Sequence, residues 1–109
     1  MASTKVCNKL RELVRSYNNT SFYNDGMTDG IILDDTLIFK IDRSSRIITL
    51  NTGGWNTPTT RRRINEAFIA SGLAGWFVYQ KKGELYFSKS YDNPDKNGYV
   101  FEDKIAIAY

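Results

Sequence analysis

The 109 residues predict a single α+β domain, residues 1–109, in which an antiparallel sheet of about five to six strands has two helices packed on it. Three observations lead there. Two stretches, one opening the chain and one following Pro58, repeat apolar residues at helical spacing, while several shorter stretches alternate at a period of two between turn residues. The length supports one hydrophobic core but not two.

In chain order, Thr4 is placed to cap the first helix. Its apolar residues Val6, Leu10, Leu13, Val14 and Tyr17 fall on one stripe, and Lys5, Lys9, Arg11, Glu12 and Arg15 fall on the other faces. Cys7 sits beside the stripe and reads as a small packing residue, since the chain has no histidine to activate it. Residues 18–30 are dense in Asn, Asp, Ser, Thr and Gly and read as a polar loop. Residues 31–33 and 36–41 read as strands, 42–45 as a turn, and 46–50 as the antiparallel return. The second helix runs from Pro58 to about Ser71, with Thr57 as its N-cap, Ile64, Ala67, Phe68 and Ser71 on one face, and Gly72 ending it.

Residues 76–81 and 84–89 then form a hairpin across Lys82-Gly83. A two-residue loop places Tyr79 opposite Tyr86 and Val78 opposite Phe87. One face carries Trp76, Val78, Leu85 and Phe87, suited to cover the helices; the other carries Phe77, Tyr79, Lys81, Glu84, Tyr86 and Ser88. Residues 91–98 read as a turn-rich loop, and 99–101 and 104–109 as one or two closing strands.

Composition narrows the function. Apolar residues make up 41% and charged residues 25%, ordinary for a folded protein. No apolar run approaches the roughly 20 residues that cross a bilayer, and no charged and then apolar leader opens the chain, so the sequence points to the cytosol and away from membranes. A lone Cys7 and the absence of histidine exclude an internal disulfide and the common zinc sites. Asp25 and Asp29, with Asp34 or Asp35, show no metal-ligand spacing. Asn93, Asp95 and Asn97 imitate the start of a calcium loop but reach Lys104 where a glutamate is needed. Neither a metal nor a cofactor is expected.

The net charge of +3 is a weak pointer to a polyanion, but its distribution is uneven. Residues 17–42 set one lysine against five aspartates, whereas residues 61–89 set six cations against Glu66 and Glu84. This predicts either an acidic and a basic surface or two segments that neutralise each other.

The stretch joining strand to helix is the most distinctive. Gly53 and Gly54 allow a sharp reversal, which is expected to lay Trp55 over the second helix near Phe68. Arg61, Arg62 and Arg63 then occupy opening turns whose partial positive charge prefers an anion, at a cost of roughly a few tenths of a kcal/mol each. The strings Leu-Asn-Thr-Gly-Gly-Trp, Thr-Thr-Arg-Arg-Arg-Ile-Asn and Phe-Val-Tyr-Gln-Lys resemble a group of small bacteriophage proteins. These share an Asn-Ser/Thr-Gly-Gly-Trp segment, a Thr-Thr-Lys/Arg-Arg-Arg-x-Asn helix start and a Tyr/Phe-Gln-Lys strand. The likeness spans about residues 48 to 87 and implies a phage origin and a host-cytoplasm setting. It carries no catalytic residue across.

Two candidate binding features follow from the residues. At the helix start, the backbone N–H groups of Thr59 and Thr60, the hydroxyls of Thr57, Thr59 and Thr60, and the guanidinium groups of Arg61, Arg62 and Arg63 are suited to a phosphate. Against this, successive helical residues point about 100° apart and Arg62 can instead pair with Glu66 at i+4. On the hairpin, Phe77, Tyr79, Tyr86, Lys81 and Lys82 have the composition of a stacking platform for unpaired bases. The competing reading is burial of both faces, or a protein interface.

No histidine, no Gly-x-Ser-x-Gly elbow and no Walker loop are present, so the sequence does not read as an enzyme. Two functions remain: a small phage accessory protein that binds DNA or RNA, or a phage-encoded inhibitor of a host protein such as a polymerase, nuclease or defence complex. A homodimer is a further possible partner state. If the arginines serve binding, neutralising Arg61, Arg62 and Arg63 together should leave the domain as stable or slightly more so.

Overall fold

The computed structural model describes residues 2–90 and 98–109. The expected 91–98 loop and its calcium-like spacing lie outside the described residues, Gly98 excepted. The elements are α1 (Ala2–Val14), β1 (Thr20–Asn24), β2 (Thr28–Leu33), β3 (Thr36–Asp42), β4 (Ile47–Leu50), α2 (Pro58–Ala70), β5 (Phe77–Lys81), β6 (Glu84–Ser88), β7 (Tyr99–Val100) and β8 (Ile105–Ala108). The α+β class stands, with every described strand pair antiparallel. The strands divide, however, into a five-stranded sheet ordered β1-β2-β3-β4-β8 and a three-stranded sheet ordered β5-β6-β7.

Helix α2 makes that division. Its Phe68 is fully buried between the sheets, with its ring centroid 5.6 Å from Phe39 of β3 and 5.8 Å from both Trp76 and Phe87 on the hairpin side. The helix also covers the backbone of β5: the Asn65 amide accepts from Val78 N at 2.7 Å and donates to Val78 O at 3.1 Å. A side chain thus supplies the two bonds that a neighbouring strand would make at that position, and β5 stays an edge.

Local signals at α2 read as expected. Thr57 caps it through a hydrogen bond from Thr60 N at 3.1 Å, and Pro58 opens it. At its end Gly72 adopts φ 81°, with Leu73 N donating to Phe68 O and Gly72 N to Ile69 O, the paired bonds of a Schellman motif. Ile64, Ala67 and Phe68 are buried on the face assigned to them. In α1, Leu10 is fully buried and Val6, Leu13 and Val14 pack partly against the core. That helix begins at Ala2, so Thr4 lies inside it and does not precede it as a cap.

The 18–30 stretch corrects the sequence reading most. It is not a loop: β1 and β2 form a hairpin in register Asn24↔Asp29 to Thr20↔Leu33. The Asp25 carboxylate holds the turn by accepting from Met27 N and Thr28 N, and these backbone donors are the main reason its pKa lies below the ordinary aspartate value. Gly30 then lies so close to β3 that a Cβ would come within 2.6 Å of Phe39 O. Asp29 is fully buried and forms an ion pair with Arg43, which also donates to Gly26 O at 3.0 Å. One of the five acidic-segment aspartates is thereby a structural residue, not a surface charge.

Candidate nucleic-acid interface

The helix start does not assemble as one phosphate site. Thr60 is 2% exposed; its amide is taken by Thr57, and the two hydroxyls lie 3.0 Å apart in a shared hydrogen bond. Thr59 is half-buried. Helical geometry sends the three arginines to different surroundings. Arg61 donates to Asn56 Oδ1 at 2.7 Å, Arg62 is exposed, and Arg63 is buried at 6% exposure.

Arg63 closes a polar triangle. Its Nη1 donates to Glu66 Oε1 at 3.0 Å, its Nε donates to Thr20 Oγ1 at 3.2 Å, and its guanidinium lies 3.2 Å from the centre of the Tyr17 ring. Tyr17 in turn donates its hydroxyl to Glu66 Oε2 at 2.5 Å, which is the main reason its pKa is raised. Glu66 therefore pairs with Arg63 at i+3 and not with Arg62 at i+4. Arg63 and Glu66 of α2 thus fasten Tyr17, in the link that follows α1, and Arg63 also holds Thr20 at the start of β1.

The hairpin adopts the expected register, with Tyr79 opposite Tyr86 and Val78 opposite Phe87. Lys82 and Gly83 both take positive φ, 53° and 82°, as a type I′ turn requires. Val78, Leu85 and Phe87 are buried on the inner face. On the outer face the rings form a row: Phe77 and Tyr79 have centroids 5.2 Å apart, and Tyr79 and Tyr86 lie 5.5 Å apart and 20° from parallel. The Tyr86 hydroxyl donates to Glu84 at 3.1 Å, and this bond is the main reason its pKa is raised. Tyr79, Lys81, Lys82 and Tyr86, with Gly98, line a small hollow of about 240 Å³. That is below the roughly 300–1,000 Å³ of pockets that enclose a drug-sized ligand, and suits a surface on which a flat group rests.

The surviving basic residues of α2 lie at the same end as this hollow. Phe68 contacts Trp76 and Asn65 holds Val78, so α2 and β5 run in opposite directions past each other. One turn back from Asn65, about 6 Å along the axis, is Arg61. Two to three residues on from Val78, about 7 to 10 Å along the strand, are Gln80 and Lys81. Arg61 therefore lies toward the end of α2 that runs in the direction of the hairpin tip, where Lys81 and Lys82 stand.

The family model described as Kyanoviridae Gp96 protein matches residues 3–107. The chain belongs to this family of small phage proteins. Among curated proteins and among solved structures, none matches it. Within this Gp96-family chain no described helix is long and apolar enough to cross a membrane, and no group of three or more His, Cys, Asp or Glu among the described residues is placed to hold a metal ion.

Two features escaped the sequence reading. Asn65 gave no signal, because an asparagine within a helix is unremarkable until the strand it bonds is known. Trp55 is 70% exposed and does not cover α2, because Trp76 already packs on Phe68. The residues around Trp55 form a second cleft, of about 510 Å³, beside the start of α2.

Proposed function

We propose that this protein is a phage accessory protein, acting without catalysis in the host cytoplasm, that binds single-stranded nucleic acid on the outer face of the β5–β6 hairpin. The observation that carries the reading is the convergence of two lysines and two parallel tyrosine rings around one small hollow. Rings offer stacking to any base, while Lys81 and Lys82, with Arg61 and Arg62 of α2, supply phosphate contacts. Arg63 and Thr60 serve the fold in this reading, and Thr59 is peripheral.

Fluorescence anisotropy with labelled oligo-dT and oligo-rU across a salt series tests it. Four cations contacting phosphates should give a slope of log affinity against log salt near −3, and Lys82→Gln should reduce it by about 0.7. Tyr86→Leu, which keeps apolar bulk opposite Tyr79, should weaken binding roughly 5- to 150-fold with the slope unchanged. Absence of binding at about 50 mM salt, with a normal melting curve, refutes the reading.

A further inference from the structure

We infer that the cleft beneath Trp55 is a docking site for an arginine side chain presented by a partner protein, separate from the hairpin surface. Its lining sets the sign of the ligand: Asp34 and Asp35 stand at the cleft with no lysine or arginine, and their two full negative charges exceed the roughly half positive charge of the α2 start at Thr57, Thr59 and Thr60. Both aspartates are exposed, and neither carboxylate has a hydrogen bond or ion pair among the described residues. A phosphate would be repelled there; a guanidinium would find two carboxylates and an indole face.

The shape fits the same ligand. Leu33 and Ile38, 8% and 1% exposed, contribute an apolar floor for a methylene stem. Trp55 adds an aromatic face, and arginine stacks on such faces while its fork bonds carboxylates, which lysine does less well. Its 70% exposure favours a macromolecular partner over an enclosed small molecule: an indole standing in water beside a cleft is the form of an interface anchor.

The loop that presents Trp55 is held in place before any ligand arrives. Asp103 accepts from Thr52 N, Thr52 Oγ1 and Gly54 N at 2.8 to 3.2 Å. Gly53, at φ 64°, presses so closely on β3 that a Cβ would meet Thr36 Oγ1 at 2.8 Å. Trp55 N then donates to Thr52 O at 3.1 Å. A fixed backbone lowers the ordering cost of binding, which is what an anchor residue requires.

The test is an NMR titration of the full chain with a capped Ala-Ala-Arg-Ala-Ala peptide, following the two indole N–H signals. The Trp55 signal should shift saturably and that of Trp76 should not. Trp55→Ala and the double change Asp34→Asn with Asp35→Asn should each weaken binding at least about tenfold, read from backbone amides around the cleft, with melting temperature unchanged. The matching lysine peptide should bind more weakly and the glutamate peptide not at all.

Absence of a saturable shift at millimolar arginine peptide, or equal binding by the double variant, overturns the inference. Arginine amide binding as tightly as the peptide would make this a small-molecule site and would also overturn it. Self-association in sedimentation that disappears in the same variants would assign the cleft to a second copy, with the same consequence. None of these outcomes bears on oligonucleotide binding by the hairpin, so the two readings fail separately.

Discussion

Replacing Arg63 with glutamine should destabilise the domain by about 3 kcal/mol, while the same change at Arg61 and Arg62 together should stay within about 0.5 kcal/mol. The difference follows from where the three side chains go. Arg63 is 6% exposed and bonds Glu66 and Thr20 while lying over Tyr17. Breaking a fully buried ion pair by removing one partner costs about 3–5 kcal/mol, because the other charge is left without compensation. Here that figure is reduced, since the Glu66 side chain keeps 29% of its surface in water and retains the Tyr17 hydroxyl. A desolvated cation over an aromatic ring adds back about 1–2 kcal/mol.

For a domain of this size, 3 kcal/mol corresponds to a fall in melting temperature of roughly 12 °C or more. Denaturant unfolding followed by circular dichroism measures it, and an unchanged m-value would assign the effect to the native state. Arg63→Lys should recover only part of the loss, since an ammonium cannot bond Thr20 and Glu66 from one rigid fork. A double-mutant cycle with Glu66→Gln should show coupling above about 0.5 kcal/mol. A melting temperature for Arg63→Gln within about 2 °C of wild type, or a larger loss from the Arg61 and Arg62 pair, would refute the reasoning and restore the arginine run as a single binding unit.

Asn65→Ala removes both bonds to Val78 and should cost about 2 kcal/mol, checked by denaturant midpoint; a loss below about 0.5 kcal/mol would mean that water replaces the amide without penalty. Trp76→Ala should cost about 3 kcal/mol because the ring packs on Phe68 and Phe87, whereas Trp55→Ala should leave the melting temperature nearly unchanged; equal losses would place Trp55 in the core. Stability should be flat from about pH 4 to about pH 10 with respect to two groups. Tyr17, whose pKa is raised chiefly by its bond to Glu66, contributes fully below the ordinary tyrosine value and loses that contribution as pH rises through the raised one, so Tyr17→Phe should soften the alkaline fall. Asp42, whose pKa is lowered first by Ser45 N–H and then by the Ser44 hydroxyl, contributes above the ordinary aspartate value and loses that share as pH falls through the lowered one, so Asp42→Asn should soften the acid fall.

What the sequence revealed was local. The Thr57 cap, the Gly72 stop and the Tyr79–Tyr86 register rest on bonds between residues a few positions apart, and each was present in the chain as written. The β1–β2 hairpin carried a local signal too, Asp25-Gly26 between two stretches containing apolar residues. It was outweighed by the polar residues around it, which serve the hairpin: Asn24 donates to Asp29 at 2.5 Å and Asp25 closes the turn. What the sequence hid was set by distant partners. Trp55 is exposed because Trp76, 21 positions later, contacts Phe68 from the hairpin side. Arg63 is buried because Thr20, 43 positions away, arrives beneath it.

The three arginines show why a charge run is a poor unit of inference on a helix. At about 100° per residue no two neighbours share a direction, so the run is divided before any ligand is considered. Arg63 turns toward Tyr17, in the link that follows α1, and Thr20, at the start of β1; Arg61 turns toward Asn56, and Arg62 remains in solvent. The helix-dipole penalty that suggested an anion still applies to Arg61 and Arg62. For Arg63 the anion has been found, and it is Glu66 of the same helix. The cations that the binding proposal uses, Arg61, Arg62, Lys81 and Lys82, are distinct from the Arg63–Glu66 pair, which is what allows the binding proposal and the stability prediction to be tested on separate variants.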